Sequence, residues 1–156
     1  MNKRNLLQAL LLAGAGAALG ITPSRAATFE VTHTPDEWRK ILGPAAYHIM
    51  REEGTEYPNT SPLLNEHRKG TFICAGCALP LFASNTKFDS GTGWPSFWQP
   101  LPHAVETTTD NSWLQSRTEV HCRRCGGHLG HVFDDGPKPT GLRYCMDGLA
   151  LKFKAA

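Results

Sequence analysis

The chain has no cluster of Lys and Arg interleaved with aromatic side chains, so nothing in it suggests a nucleic-acid partner. Neither of its C-x2-C units is followed directly by histidine, because Ala78 and Gly126 stand there, and covalent haem attachment is excluded. The H-x-E and P-C-x-x-C pair of the zinc deaminases is also missing. There is no internal repeat beyond the two C-x2-C units, and no low-complexity stretch after the first 26 residues. Charge of either sign is barely in excess, with 16 Lys and Arg against 14 Asp and Glu in 156 residues. A chain of that length fits a single domain with one core.

The slight basicity sits at the N-terminus. Lys3 and Arg4 precede an uncharged run, NLLQALLLAGAGAALGIT, and Ser24 and Ala26 are small residues at the two positions a signal peptidase reads. Residues 1–26 read as an export signal and residues 27–156 as the domain, which places the mature protein outside the cytoplasm, in the periplasm. The alternative readings are an N-terminal membrane anchor or a core helix. The run is short for a span, and no stable membrane insertion of the mature chain is expected. NKRNLL resembles a twin-arginine signal with Lys3 at the first arginine. Without Lys3, Arg4 and Arg25, 13 basic residues remain against 14 acidic ones, a net charge of −1.

THTPDEWRKILG predicts a helix start: Thr34 as N-cap, Pro35 in the first turn, Glu37 completing a capping box, and Trp38, Ile41 and Leu42 on one face. Gly43 and Pro44 should stop it, and PAAYHIMREEG allows a second short helix ending at Gly54. A polar, proline-dotted loop follows. From Thr71 onward, short runs such as TFI, RTEVH, LRYCM and LALKF lie between Gly, Pro, Asn and Asp clusters and read as brief antiparallel strands.

Cys74 and Cys77 lie in FICAGCALP, and Cys122 and Cys125 in VHCRRCGGH. Two C-x2-C units, each wrapping two thiolates around an ion from a tight turn, are what a tetrahedral zinc site needs. Two disulfides are the alternative for an exported protein, and a site of Cys122, Cys125, His128 and His131 is another. The fifth cysteine, Cys145 in GLRYCMDGLALKF, has no sequence partner. It reads either as a small buried hydrophobe or, with His128, His131 and Arg143 available, as a nucleophile with a proton partner. Alternation on a strand would point Arg143, Cys145 and Asp147 the same way. Arg143 would then favour a thiolate and Asp147 oppose it. In FDSGTGWPSFW, Trp94 and Phe97 either plug the core or wall a pocket for a small apolar group.

Taken in order, CAGC, GTGWPSF, RTEVHCRRCGGHLGHVFDDGP and PTGLRYC resemble the B-type methionine sulfoxide reductases, which act on the R epimer at sulfur. The likeness runs from about Trp38 to Phe153. It implies a mainly β fold, a small antiparallel domain of two packed sheets with short N-terminal helices and a structural Zn2+ on Cys74, Cys77, Cys122 and Cys125. It further implies Cys145 as the catalytic cysteine, Trp94, His128 and His131 as site residues, and Thr55 and Glu56 as the threonine–glutamate pair before the long loop. Two positions depart from the commoner pattern: Thr92 replaces the resolving cysteine, and Asp147 replaces asparagine.

On this reading His131 protonates the sulfoxide oxygen while Cys145 attacks sulfur. Trp94 cradles the methyl group, with Thr55 and Asp147 also contacting substrate, and His128 and Arg143 orient the oxygen. Oxidised protein or peptide is the expected substrate, and a thioredoxin-like or other dithiol the reductant that resets a sulfenic acid on Cys145. The reading from a different class is a non-catalytic zinc-ribbon-like protein-binding module.

Overall fold

Thr34 does what its sequence context dictates. Its backbone N–H donates to Glu37 Oε2 at 2.8 Å and its hydroxyl accepts from the Glu37 N–H at 3.3 Å, which closes the capping box at the head of α1, Pro35–Glu52. The computed structural model describes residues 28–112 and 116–156, and the export segment expected at 1–26 lies outside the described residues. Gly43 breaks α1 with φ 72° and ψ 169°, so the two expected helices run as one kinked element. The left-handed residue that ends it is Glu53, one position before the expected Gly54. Trp38, Ile49 and Met50 are buried, whereas Ile41, expected beside Trp38, stays 43% exposed on the rim of a cleft it shares with Leu149. No described helix is long and apolar enough to cross a membrane.

TFI and RTEVH are strand as expected and LRYCM is strand from Arg143, whereas LALKF becomes strand only at Leu151 because Leu149 and Ala150 close a 3-10 turn; the strands assemble into two antiparallel sheets. The smaller has the order β2 (Pro80–Ala83), β1 (Gly70–Cys74), β9 (Leu151–Ala155). The larger runs β3 (Lys87–Phe88), β4 (Ser96–Phe97), β8 (Arg143–Met146), β7 (His128–Phe133), β6 (Arg117–Cys122), β5 (Val105–Asp110). Phe72 and Phe82 of the smaller sheet meet Phe97 of the larger, at ring-centroid separations of 4.9 and 4.3 Å. All three are fully buried, each contributing roughly 1.5–3 kcal/mol by leaving water. Phe97 therefore plugs the core, as one of its two sequence readings required.

Register carries the sheet's chemistry. Ser96 pairs with Cys145, Cys145 with His131, His131 with Glu119 and Glu119 with Thr108, a single row across β4, β8, β7, β6 and β5. Directly opposed residues share a face, so thiol, imidazole and carboxyl are set side by side by strand pairing alone. The β6–β7 ladder slips between Val120 and His121: Val120 pairs with Gly130 and His121 with His128, leaving Leu129 as the extra residue of a bulge. In a regular strand, residues three apart face opposite ways. The bulge cancels that, and the rings of His128 and His131 lie 5.4 Å apart on one side. Gly130 makes the slip feasible, at φ 145° and with a Cβ position already filled by the Cys145 carbonyl.

Candidate active site and metal centre

The two C-x2-C units fold as matching knuckles. The Ala78 N–H donates to the Cys74 carbonyl at 2.9 Å and the Gly126 N–H to the Cys122 carbonyl at 2.8 Å, with Ala78 and Gly126 both left-handed at φ 58° and 64°. The knuckles converge until all four Sγ atoms lie within 4.8 Å of one another. Cys74 and Cys125 are 3.7 Å apart, and Cys77 and Cys122 3.5 Å. Tetrahedral coordination with bonds of about 2.3 Å requires sulfur–sulfur edges of about 3.8 Å, so the donor set fits a four-coordinate metal ion. All five cysteines are free, which sets aside the disulfide alternative. His128 and His131 bind carboxylates instead of joining Cys122 and Cys125, so the mixed cysteine–histidine site is corrected. Arg51 ties α1 to this centre, donating to the Cys125 carbonyl at 3.0 Å while stacking on Trp38.

Cys145 lies within the larger sheet's row, between Ser96 and His131. Together with Thr55, Trp94, His131 and Asp147 it lines a pocket of about 130 Å³. That volume is well below the roughly 300–1,000 Å³ of pockets for whole small molecules, and suits the tip of one side chain. The Trp94 indole N–H donates to the Glu56 carbonyl at 3.1 Å, which turns the ring into a fixed wall. Burial pushes the Cys145 thiol up, the Thr92 hydroxyl and the Arg143 charge oppose this, and the Asp147 charge reinforces it. Thr92 Oγ1 is 3.8 Å from the sulfur and heads a run of hydroxyls through Ser90 to Ser96, at 2.8 and 2.7 Å.

His131 Nε2 is 2.9 Å from Asp110 Oδ2. Burial lowers the His131 pKa and the Asp110 carboxylate works against that. Asp110 itself is held well below the ordinary carboxylate range, first by the Ser112 hydroxyl, so an ionised acceptor faces the imidazole. His128 sits behind this layer, its Nδ1 2.8 Å from Glu119 Oε1. Asp147 is buried past the end of β8, where its Oδ1 accepts the Glu56 N–H at 2.9 Å. Glu56 in turn accepts the N–H groups of Gly148 and Leu149 at 2.6 and 3.1 Å, clamping the loop after α1 onto the loop after β8.

Of the residues singled out in the sequence, Cys145, His131, Trp94, Thr55 and Asp147 share the pocket, and His128 backs it. Arg143 is placed differently: it makes a bidentate pair with Asp135, at 2.8 Å for both bonds, and lies over the Phe133 ring. It reaches Cys145 through its charge, while Arg117 is the arginine on the pocket wall. Sequence reasoning missed Arg117, Asp110 and Glu119. The only signal was alternation in RTEVH, where Arg117, Glu119 and His121 share a strand face, and that does not reveal which strand lies alongside.

The structure is a two-sheet β domain in which four clustered cysteines could hold a metal ion and, apart from them, a thiol is opposed to an imidazole in a small pocket. The SelR domain matches residues 42–155, and the chain belongs to that family. It is 50% identical over 127 residues to the peptide methionine sulfoxide reductase MsrB of Leptospira interrogans, covering 81% of this chain and 97% of the relative. It is 52% identical to the MsrB proteins of Agrobacterium fabrum and Pseudomonas putida, covering 80% of this chain and 93% and 95% of theirs.

Proposed function

We propose that the protein is an oxidoreductase that converts methionine-R-sulfoxide in peptides or proteins to methionine, with Cys145 as nucleophile. The observation that carries this reading is the cross-strand pairing of Cys145 with His131 inside a pocket sized for a side-chain tip. A non-catalytic binding module has no use for that arrangement, and family membership points the same way.

A sulfoxide sulfur is weakly electrophilic until its oxygen is protonated. With the thiol raised and His131 lowered by burial, the resting pair is a thiol beside a neutral imidazole. The Cys145 proton passes to His131 and from there to the sulfoxide oxygen as the sulfur attacks. The sulfoxide S–O bond breaks, the oxygen ends on Cys145 as sulfenic acid, and methionine leaves with its sulfur reduced by two electrons. Trp94 takes the methyl group and Thr55 and Asp147 border the remaining space. With methyl and oxygen assigned to different walls, only one epimer presents sulfur to Cys145. Arg143 supports the thiolate electrostatically, and His128 holds the wall behind Asp147.

Resetting the sulfenic acid consumes two thiols and releases water. Thr92 puts a hydroxyl, not a thiol, beside Cys145, and the other four cysteines form the metal centre, so the reductant is an external thioredoxin-like or other dithiol protein. The metal we assign is one structural Zn2+, because four thiolates close its shell and leave no position for substrate; when bound it supplies folding energy. With residues 1–26 as export signal, the enzyme works in the periplasm.

The deciding experiment offers separated R- and S-sulfoxide peptides to the wild type and to Cys145→Ser, with dithiothreitol as reductant. Thiol consumption only with the R epimer, and only by the wild type, is expected. Equal consumption by Cys145→Ser, or none by the wild type, refutes the reading.

A further inference from the structure

His128 is only 3% exposed, and its Nδ1 faces Glu119. The hydrogen bond from His128 holds the Glu119 carboxyl down at about 2, so it is an acceptor-only carboxylate and the facing Nδ1 carries the hydrogen. A neutral His128 therefore presents a lone pair at Nε2. That nitrogen is fully buried and has no hydrogen-bond partner among the described residues. Asp147 Oδ2 faces it at 3.8 Å, with the Asp147 side chain 4% exposed.

Three protonation states of this facing pair can be compared. With no added proton, a buried carboxylate looks at a buried lone pair. With two, an N–H looks at an O–H. Only with one proton does a donor meet an acceptor, and leaving buried polar groups unmatched costs on the order of 1–3 kcal/mol each. An asparagine at 147 would offer a permanent N–H donor to Nε2 and nothing to titrate. The carboxyl makes this contact depend on a proton.

We infer that His128 and Asp147 form a positioning pair that holds one proton between them beside the Cys145 pocket, and that losing this proton puts a negative charge on the pocket wall and slows attack by Cys145. The inference rests on the proposed reductase function for its kinetic consequence, but not for the pair itself. The charged or titratable groups around the pair all bear on it. Glu119 and Arg117 approach from β6, Asp110 from β5, His131 and Cys145 from β7 and β8, and Glu53 from the end of α1; His121 is the cross-strand neighbour of His128. Glu56 packs from the loop after α1, its N–H favouring the Asp147 carboxylate and its charge opposing it. Burial outweighs these and pushes the Asp147 carboxyl up to about 6. Once ionised, Asp147 adds to the forces that keep the Cys145 thiol protonated.

The test has one arm without substrate and one with it. In the resting, metal-loaded protein, the side-chain carbon of Asp147, assigned by its loss in Asp147→Asn, should titrate well above the ordinary value of about 3.9. In single turnover with an R-sulfoxide peptide, the wild-type rate should decline above that ionisation. Asp147→Asn should hold its rate over the same range and carry roughly threefold more Cys145 thiolate at fixed pH. His128→Gln is the second variant: its amide donates to Asp147 at every pH and should return the carboxyl toward its ordinary value. An ordinary Asp147 titration in the wild type, or the same pH decline in Asp147→Asn, overturns the pair. A shifted titration in a protein that turns over no sulfoxide upholds the pair and overturns the functional reading.

Discussion

Cys145 on β8 and His131 on β7 are directly opposed partners in an antiparallel ladder, so the thiol and the imidazole share a face and line one pocket. Their proximity does not rest on a flexible loop. It rests on backbone hydrogen bonds in the middle of a six-stranded sheet, which is the rigid kind of placement a proton transfer requires.

The first prediction concerns that pair. Cys145→Ser should bring sulfoxide reduction to background with fold and metal content intact, since an alcohol forms no sulfenic acid. His131→Ala should slow the single-turnover step by roughly 10²–10⁴-fold with a smaller change in substrate affinity. Rapid-quench measurement of methionine formed before reductant is added checks both, and an unchanged rate in either variant removes that residue from the mechanism.

The metal centre gives the second. Elemental analysis of the folded protein should find about one zinc per chain, and prolonged chelation should lower the thermal midpoint before it lowers the turnover of still-folded molecules. Cys122→Ser should reduce folded yield, because the serine oxygen is a poor substitute in a shell of four thiolates. Full stability in metal-free protein would show that the centre is not structural.

Gly130 carries the third. It sits at φ 145°, and a Cβ there would overlap the Cys145 carbonyl, so β7 and β8 must separate to admit Ala. Gly130→Ala should destabilise the protein by about 3 kcal/mol or more and lower activity even at temperatures where the chain stays folded, because the bulge that aligns the two histidines is lost. Denaturant titration alongside turnover checks this; a neutral substitution would mean the bulge tolerates a side chain.

Acid stability supplies the fourth. Glu119 is held at about 2 in the fold, against an ordinary value of 4.5. A depressed folded value stabilises the protein above the unfolded pKa and is lost as pH falls through the folded one. The Glu119 contribution should therefore be complete above pH 4.5 and disappear toward pH 2. Glu119→Gln should be less stable than the wild type at pH 6, with the difference shrinking at pH 3. A constant difference across that range would show that the His128 contact does not depend on charge.

Much of this protein was settled by local sequence. The capping box at Thr34, the strand runs TFI, RTEVH, LRYCM and LALKF, and the two cysteine knuckles all depend on groups within a few residues of each other, so their chemistry is legible without the fold. The cysteine spacing specified each knuckle, and the lone Cys145 next to two histidines and a tryptophan already suggested a nucleophile in a pocket. Tertiary structure decided everything that depends on which strand lies beside which. The spacing of His128 and His131 would have set them on opposite faces of a regular strand, and only the bulge against β6 put them together. Asp110, Arg117 and Glu119 reached the site because β5 and β6 happen to follow β7 in the sheet, while Arg143 was drawn to Asp135 by a bidentate pair that no periodicity shows. Asp147 looked in sequence like a charge close to a thiol. Its burial against His128 and Glu56 made it a titrating member of a network, because the energy of a carboxylate is set by how much water remains around it and by which donors the fold brings to it.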